Sequence, residues 1–175
     1  MNILLTYPKY PDTFWSFKHA LKFISKRAAN FPLGIITVSA LFPDAWNKKL
    51  IDLNVSELKD QDIVWADFVF ISAMSVQTAS VQQIIRRCRQ LSTKIVAGGP
   101  LFTEEYEQFP DIDHMILNEA EITVPQFIND IETGQPEKIY QTDKFADLSQ
   151  TPVPEYELLE HKKYAMAGIQ YSRGC

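Results

Sequence analysis

The sequence predicts an α/β protein built on a doubly wound parallel sheet of five strands. Three observations lead there. Short apolar runs alternate with helical stretches five times, with brief connections between them. Thr78 to Leu91 places Val81, Ile84, Ile85 and Cys88 on one helical face and Arg86, Arg87 and Arg89 on the other. Finally, the apolar run Ile95-Val96-Ala97 stops at Gly98-Gly99-Pro100, as a buried strand does when it turns at the carboxyl edge of a sheet. Crossovers between parallel strands are expected to be right-handed.

Each element follows from local pattern. Asn2 to Thr6 reads as the first strand, stopped by Pro8 and Pro11. Phe14, Phe17, Leu21 and Ile24 recur at helical spacing, so a helix occupies the later part of Thr13 to Ile24, capped by Asp12 or Thr13. Pro32 suits the first turn of a second apolar segment, Ile35 to Phe42, which Pro43 ends. Leu50 to Asn54 is the second strand. Ser56 to Trp65 is a short acidic helix with Leu58, Ile63 and Val64 inward. Phe68 to Ile71 is a buried third strand running into Ser72-Ala73-Met74-Ser75. After the fourth strand, at 94–97, a helix is expected from Thr103 to Gln108. His114 to Leu117 is the fifth strand and leads into Asn118-Glu119-Ala120-Glu121. The helix from Ile122 to Glu132 turns Val124, Phe127, Ile128 and Ile131 inward, with Gly134 as its cap. Lys138-Ile139-Tyr140 is a candidate edge strand. These elements form one domain over residues 1–140. From Asp143 the pattern fails, and 141–175 reads as a linker or the start of another domain.

Composition narrows the function. The chain has 175 residues, 46% hydrophobic and 22% charged, with a net charge of −5. That charge gives no footprint for nucleic acid or an anionic membrane surface. No apolar run approaches the ~18 residues of a membrane span. The start lacks the basic region and long apolar core of a signal peptide. Two cysteines, Cys88 and Cys175, make no disulfide framework and suit a reducing, cytoplasmic setting. The ending Tyr171-Ser172-Arg173-Gly174-Cys175 reads as a boundary inside a longer protein.

Four strand ends meet at the carboxyl edge: Tyr7-Pro8, Ser72 to Ser75, Gly98 to Leu101 and Asn118 to Glu121. Three of the four are rich in Ser, Gly, Asn or Glu, and open α/β sheets bind ligands at this edge. The first strand lacks G-x-G-x-x-G, and there is neither a P-loop nor a G-x-S-x-G nucleophile turn. The third strand ends in Ser72 where a phosphorelay receiver needs an aspartate. Cys88 reads as a small core residue. His19 reads as a packed or surface side chain, and His161 as exposed. Asp111, Asp113 and His114 form a D-x-D-H run, read as a solvated loop-to-strand junction in preference to a metal site. Glu119 and Glu121 suit hydrogen bonding to a ligand amide better than paired acid catalysis. For Trp15, core packing is the first reading and an aromatic lid over a flat ligand the second.

The succession TFWSFKHAL, PLGIITVSALFP, IDLN, VFISAMSVQ, VAGGPLFT, LNEAEIT and IQYSRGC resembles the N-terminal part of cobalamin-binding radical S-adenosylmethionine (SAM) enzymes. The likeness is nearest to the group that includes the hopanoid C-2 methylase type, and it covers essentially the whole chain. It implies a Rossmann-like, flavodoxin-like B12-binding domain with cobalamin at the carboxyl edge, followed by a radical SAM barrel of the same chain. Cys175 matches the first cysteine of that family's C-x-x-x-C-x-x-C motif, which holds a 4Fe-4S cluster. One thiolate cannot hold such a cluster, so the chain by itself is expected to bind cobalamin without cleaving SAM.

The resemblance also implies roles. Ser72 and Ser75 are expected to bond the nucleotide tail or corrin amides. Gly98, Gly99 and Pro100 form the floor past which the tail runs, and Gly99→Leu is expected to block it while the sheet still folds. Asn118, Glu119 and Glu121 are expected to hold corrin amides, with Met74, Leu101 and Trp15 against the macrocycle. Many cobalamin domains carry D-x-H-x-x-G after the first strand; here that loop is Tyr7-Pro8-Lys9-Tyr10-Pro11-Asp12, without histidine. Cobalt is therefore expected to lack a protein histidine below it, with the dimethylbenzimidazole tail displaced. In the family, cobalt takes a methyl group from SAM, and a radical from a second SAM activates an unreactive carbon for methylation. Two other readings remain: a non-catalytic cobalamin or nucleotide sensor module, and a B12 radical SAM enzyme catalysing a rearrangement.

Overall fold

A computed structural model describes residues 1–13 and 18–173. The chain runs β1 (Asn2–Tyr7), α1 (Lys18–Phe23), α2 (Leu33–Ser39), β2 (Asn47–Asp52), α3 (Asp60–Trp65) and β3 (Phe68–Ser72). It continues as α4 (Thr78–Gln90), β4 (Lys94–Gly98), α5 (Pro100–Glu105), β5 (His114–Ile116), α6 (Ala120–Thr133) and β6 (Ile139–Tyr140). The strands form one sheet in the order β2-β1-β3-β4-β5-β6, and every pairing is parallel. The candidate edge strand is real, so the sheet has six strands where five were expected.

Alternation along the strands divides the core. Leu4, Val69, Ile71, Ile95, Ala97 and Met115 face α3, α4 and α5. Ile3, Leu5, Phe68, Phe70, Val96 and Ile116 face α2 and α6. Val81, Ile84, Ile85 and Cys88 are buried as the α4 pattern requires. Burial pushes the Cys88 thiol up to about 12, which suits an inert core residue.

Several boundaries moved. β2 begins three residues earlier than its apolar run, because Asn47 to Lys49 pair with Asn2 to Leu4 despite their polarity. α5 starts at Pro100, directly after the turn, since proline suits a first helical position. Val64, expected inward, is exposed, because on α3 its neighbour Ile63 takes the buried face and turns Val64 outward; Ile24, one residue past the end of α1, is exposed as well. The last crossover departs from the expected hand. β3, β4, β5 and β6 step in one direction across the sheet, but α6 lies on the face opposite α4 and α5. The β5-α6-β6 connection therefore has the opposite hand to β3-α4-β4. Two residues of edge strand constrain it little, while α6 covers a face that α2 alone cannot.

The segment after β6 folds back beside α2. Leu159 and Tyr164 are buried in the α2-side core. The Glu155 amide donates to the Ile36 carbonyl at 3.0 Å, and its carboxylate accepts from Lys48 and Ser39, each at 2.5 Å. The Tyr164 hydroxyl donates to buried Asp52 at 3.0 Å, and the Ala165 amide donates to the Ala28 carbonyl.

Candidate functional site

The parallel register aligns Ser72 with Gly98 and Gly98 with Ile116 at the carboxyl edge. A Cβ at Gly98 would lie 2.7 Å from the Ile116 carbonyl oxygen, so β4 and β5 approach more closely there than a side chain allows. At Gly99, φ is +92°, and a Cβ would sit 3.0 Å from Ser72 Oγ and 3.2 Å from the Ala73 backbone. The glycine pair is thus fixed by the protein's own neighbouring backbone. This corrects the expectation for Gly99→Leu: that substitution strains the β3–β4 edge as well as anything held beside it.

Against this edge lies a cavity of about 360 Å³. Phe70, Val96 and Ile116 make its floor on the sheet. Gly34, Thr37, Val38 and Leu41 make one wall, an i, i+3, i+4, i+7 stripe starting on α2. Ala120 and Glu121, at the start of α6, make the other. The inner surface is apolar, while Ser72, Asn118, Glu119, Glu121, Gln170 and Arg173 form a polar rim. Gly34 is a wall without a side chain: a Cβ there meets nothing within 4 Å.

At the rim, Arg173 Nη1 donates to Glu119 Oε2 at 2.5 Å and to Glu121 Oε2 at 3.0 Å, and Nη2 donates to Glu121 Oε1. The Thr151 hydroxyl also donates to Glu121, at 2.9 Å. Burial acts to raise the Glu121 carboxyl, but Arg173 and the other donors outweigh it and hold it below the usual range. Glu121 in turn raises the Arg173 guanidinium. Asn118 sits at φ +64°, a left-handed conformation asparagine tolerates, and donates from Nδ2 to the Thr142 carbonyl at 2.7 Å.

The loop after β1 is tied across the edge. Gln77 Nε2 donates to the Pro8 carbonyl at 2.5 Å, the Lys9 amide to Ser80 Oγ at 2.9 Å, and the Tyr10 amide to Asn54 Oδ1 at 2.9 Å. The Tyr10 hydroxyl lies 3.3 Å from Met74 Sδ. Burial first, and then the Tyr10 hydroxyl, drive the Tyr7 phenol well above its ordinary pKa, so it stays protonated.

Of the residues named from sequence, Ser72, Gly98, Gly99, Pro100, Asn118, Glu119 and Glu121 border the cavity. Met74 and Ser75 are exposed on the loop beside it. Leu101 is a correction: it is fully buried in the α4–α5 core, because α5 starts early and turns it inward, so it has no surface for a ligand. Trp15 and Cys175 lie outside the described residues. His114 packs against Phe68 and Phe127 with Nδ1 2.5 Å from the Glu137 carbonyl, and Asp113 accepts from the Ile95 amide. The D-x-D-H run is therefore engaged in strand structure. Sequence reading missed the α2 wall and the Arg173 and Gln170 rim. A glycine heading the i, i+3, i+4, i+7 stripe was the available signal for the first. Nothing local marked the second.

Among the described residues, no helix is long and apolar enough to cross a membrane. The chain is similar to an uncharacterized methyltransferase of Synechocystis sp., with 36% identity over all of this chain and 33% of that protein. It is similar to the hopanoid C-2 methylase of Rhodopseudomonas palustris, with 30% identity over 99% of this chain and 34% of that protein. An uncharacterized methyltransferase of Pyrococcus horikoshii matches 82% of the chain at 23% identity. The chain thus spans about a third of the length of the curated relatives it matches. The family model described as "B12 binding domain" matches residues 27–128, from the approach to α2 through most of α6, which takes in the cavity floor and both its walls. With its parallel sheet and its cavity at the carboxyl edge, the chain belongs to the B12-binding domain family.

Proposed function

We propose that this chain is the cobalamin-holding domain of a methyltransferase of the B12-dependent radical SAM type. Residues 1–140 carry the sheet, 141–175 pack back onto it through Leu159 and Tyr164 before leading toward a catalytic barrel, and Cys175 is the first ligand of a 4Fe-4S cluster completed further along. One observation carries the reading: a cavity at the carboxyl ends of β3, β4 and β5, apolar within and polar at its rim. The residues fit the group. A flat heteroaromatic base suits the space between Phe70, Val96 and Ile116 and the Gly34 wall, where no side chain intrudes. The ribose, phosphate and corrin amides suit the polar rim and the Met74–Ser75 loop. When bound, cobalamin supplies cobalt-centred methyl-group chemistry, with SAM as methyl source and radical source in the full protein. This chain's residues bind and orient the cofactor and keep water from the base. The loop after β1 carries no histidine, so no protein imidazole reaches cobalt from that loop.

Hydroxocobalamin added to the purified chain should stay with it through desalting, shift its visible spectrum and raise its melting temperature. A colourless eluate with an unmoved melting temperature would sink the reading. EPR of the Co(II) form tests the lower face: superhyperfine splitting from an axial nitrogen would contradict it.

A further inference from the structure

Among the described residues that border the cavity, Arg173 is the only basic side chain, and it stands between two carboxylates. Its bonds are unevenly distributed around the guanidinium. The Nη1–Nη2 end forks onto Glu121, and the remaining Nη1 hydrogen serves Glu119. Among the described residues, the Nε–Nη2 edge carries only a long bond to Gln170 Oε1, at 3.4 Å. Gln170 borders the same cavity. One edge of a planar, permanently charged fork is thus held rigidly by carboxylates while the other is nearly unclaimed.

We infer that this second edge of Arg173 is the binding site for the phosphodiester of the cofactor's nucleotide tail. The inference rests on the cobalamin reading. The apolar interior between α2 and the sheet leaves a phosphate no partner, so the anion must stay at the rim. The rim already holds Glu119 and Glu121, which repel another anion unless a cation intervenes. Two parallel N–H donors match two phosphate oxygens, so the fork fits the tail's single diester charge. Arg173 then binds the tail with one edge and keeps the start of α6 in place with the other. It also links cofactor occupancy to the chain leading from Ser172 to Cys175.

The test compares Arg173→Ala with the unsubstituted chain, using hydroxocobalamin and cobinamide, which lacks the phosphodiester, ribose and base. Far-UV circular dichroism and the melting curve verify folding. The expected result is an affinity loss of about tenfold or more for hydroxocobalamin, with cobinamide changed by less than about twofold. Phosphorus NMR reads the diester directly: its resonance in bound cobalamin should move in the variant. Parallel losses for the two corrinoids, or an unmoved phosphorus resonance, would overturn the inference and leave cobalamin binding intact. Where cobinamide does not bind the unsubstituted chain, the phosphorus resonance decides. Failure of the unsubstituted chain to bind hydroxocobalamin overturns both this inference and the reading beneath it.

Discussion

The two faces of the sheet take alternate residues from the same strands, yet one is filled and the other holds a cavity. Toward α4, thirteen residues of helix bring Val81, Ile84, Ile85 and Cys88 onto Val69, Ile71, Ile95 and Ala97. On the other face, α2 has seven residues, and it presents Gly34 where a larger side chain would close the gap. α6 begins only at Ala120, on the far side of that gap. Equal apolar character in the strands therefore does not produce equal packing. Helix length and one missing side chain decide where space is left.

Substitutions on the two faces can break this contrast. The largest effect is expected on the filled face. Ile84→Ala opens a void there and should cost about 2–5 kcal/mol in urea unfolding, while hydroxocobalamin uptake below the melting transition stays as it was. Equal loss of uptake would show that the two faces are coupled. Gly98→Ala drives a Cβ against the Ile116 carbonyl and should cost about 1–3 kcal/mol, with uptake reduced because the cavity floor shifts.

Asp52 provides a smaller, pH-dependent contrast. Burial raises its carboxyl, against the opposing effect of the Asn54 and Tyr164 bonds. With a folded pKa above the unfolded ~3.9, the folded state retains a proton that the unfolded state releases, so stability should fall as pH rises from about 4 through the folded value. Asp52→Asn should flatten that decline in melting temperature. An unchanged slope would place its cause elsewhere. The Glu121 carboxyl, lowered by Arg173, has the opposite sign: its contribution is present above the unfolded value and lost as pH falls through the folded one.

Gly34→Leu should disturb the fold least. Stability should change by less than about 1 kcal/mol, because the site is open and helical. Hydroxocobalamin uptake should nevertheless fall about tenfold or more, since the leucine fills the wall. Retained uptake would show that the cofactor's base does not use this space.

The alternation of apolar runs with α4's stripe and the break at Gly98-Gly99 determined the parallel sheet and which edge is open. Those are local consequences of residue period and of backbone freedom, and period-2 and period-3.6 patterns are written in the chain itself. Tertiary structure alone decided the rest. Phe70, Val96 and Ile116 become one floor only when three strands align in register. Leu101 left the ligand edge because proline starts α5 at once and turns it into the core. Arg173 reaches Glu121 across 52 residues of sequence. No propensity or spacing records such a contact, because it is the folded sheet that brings the returning tail and the start of α6 to one rim.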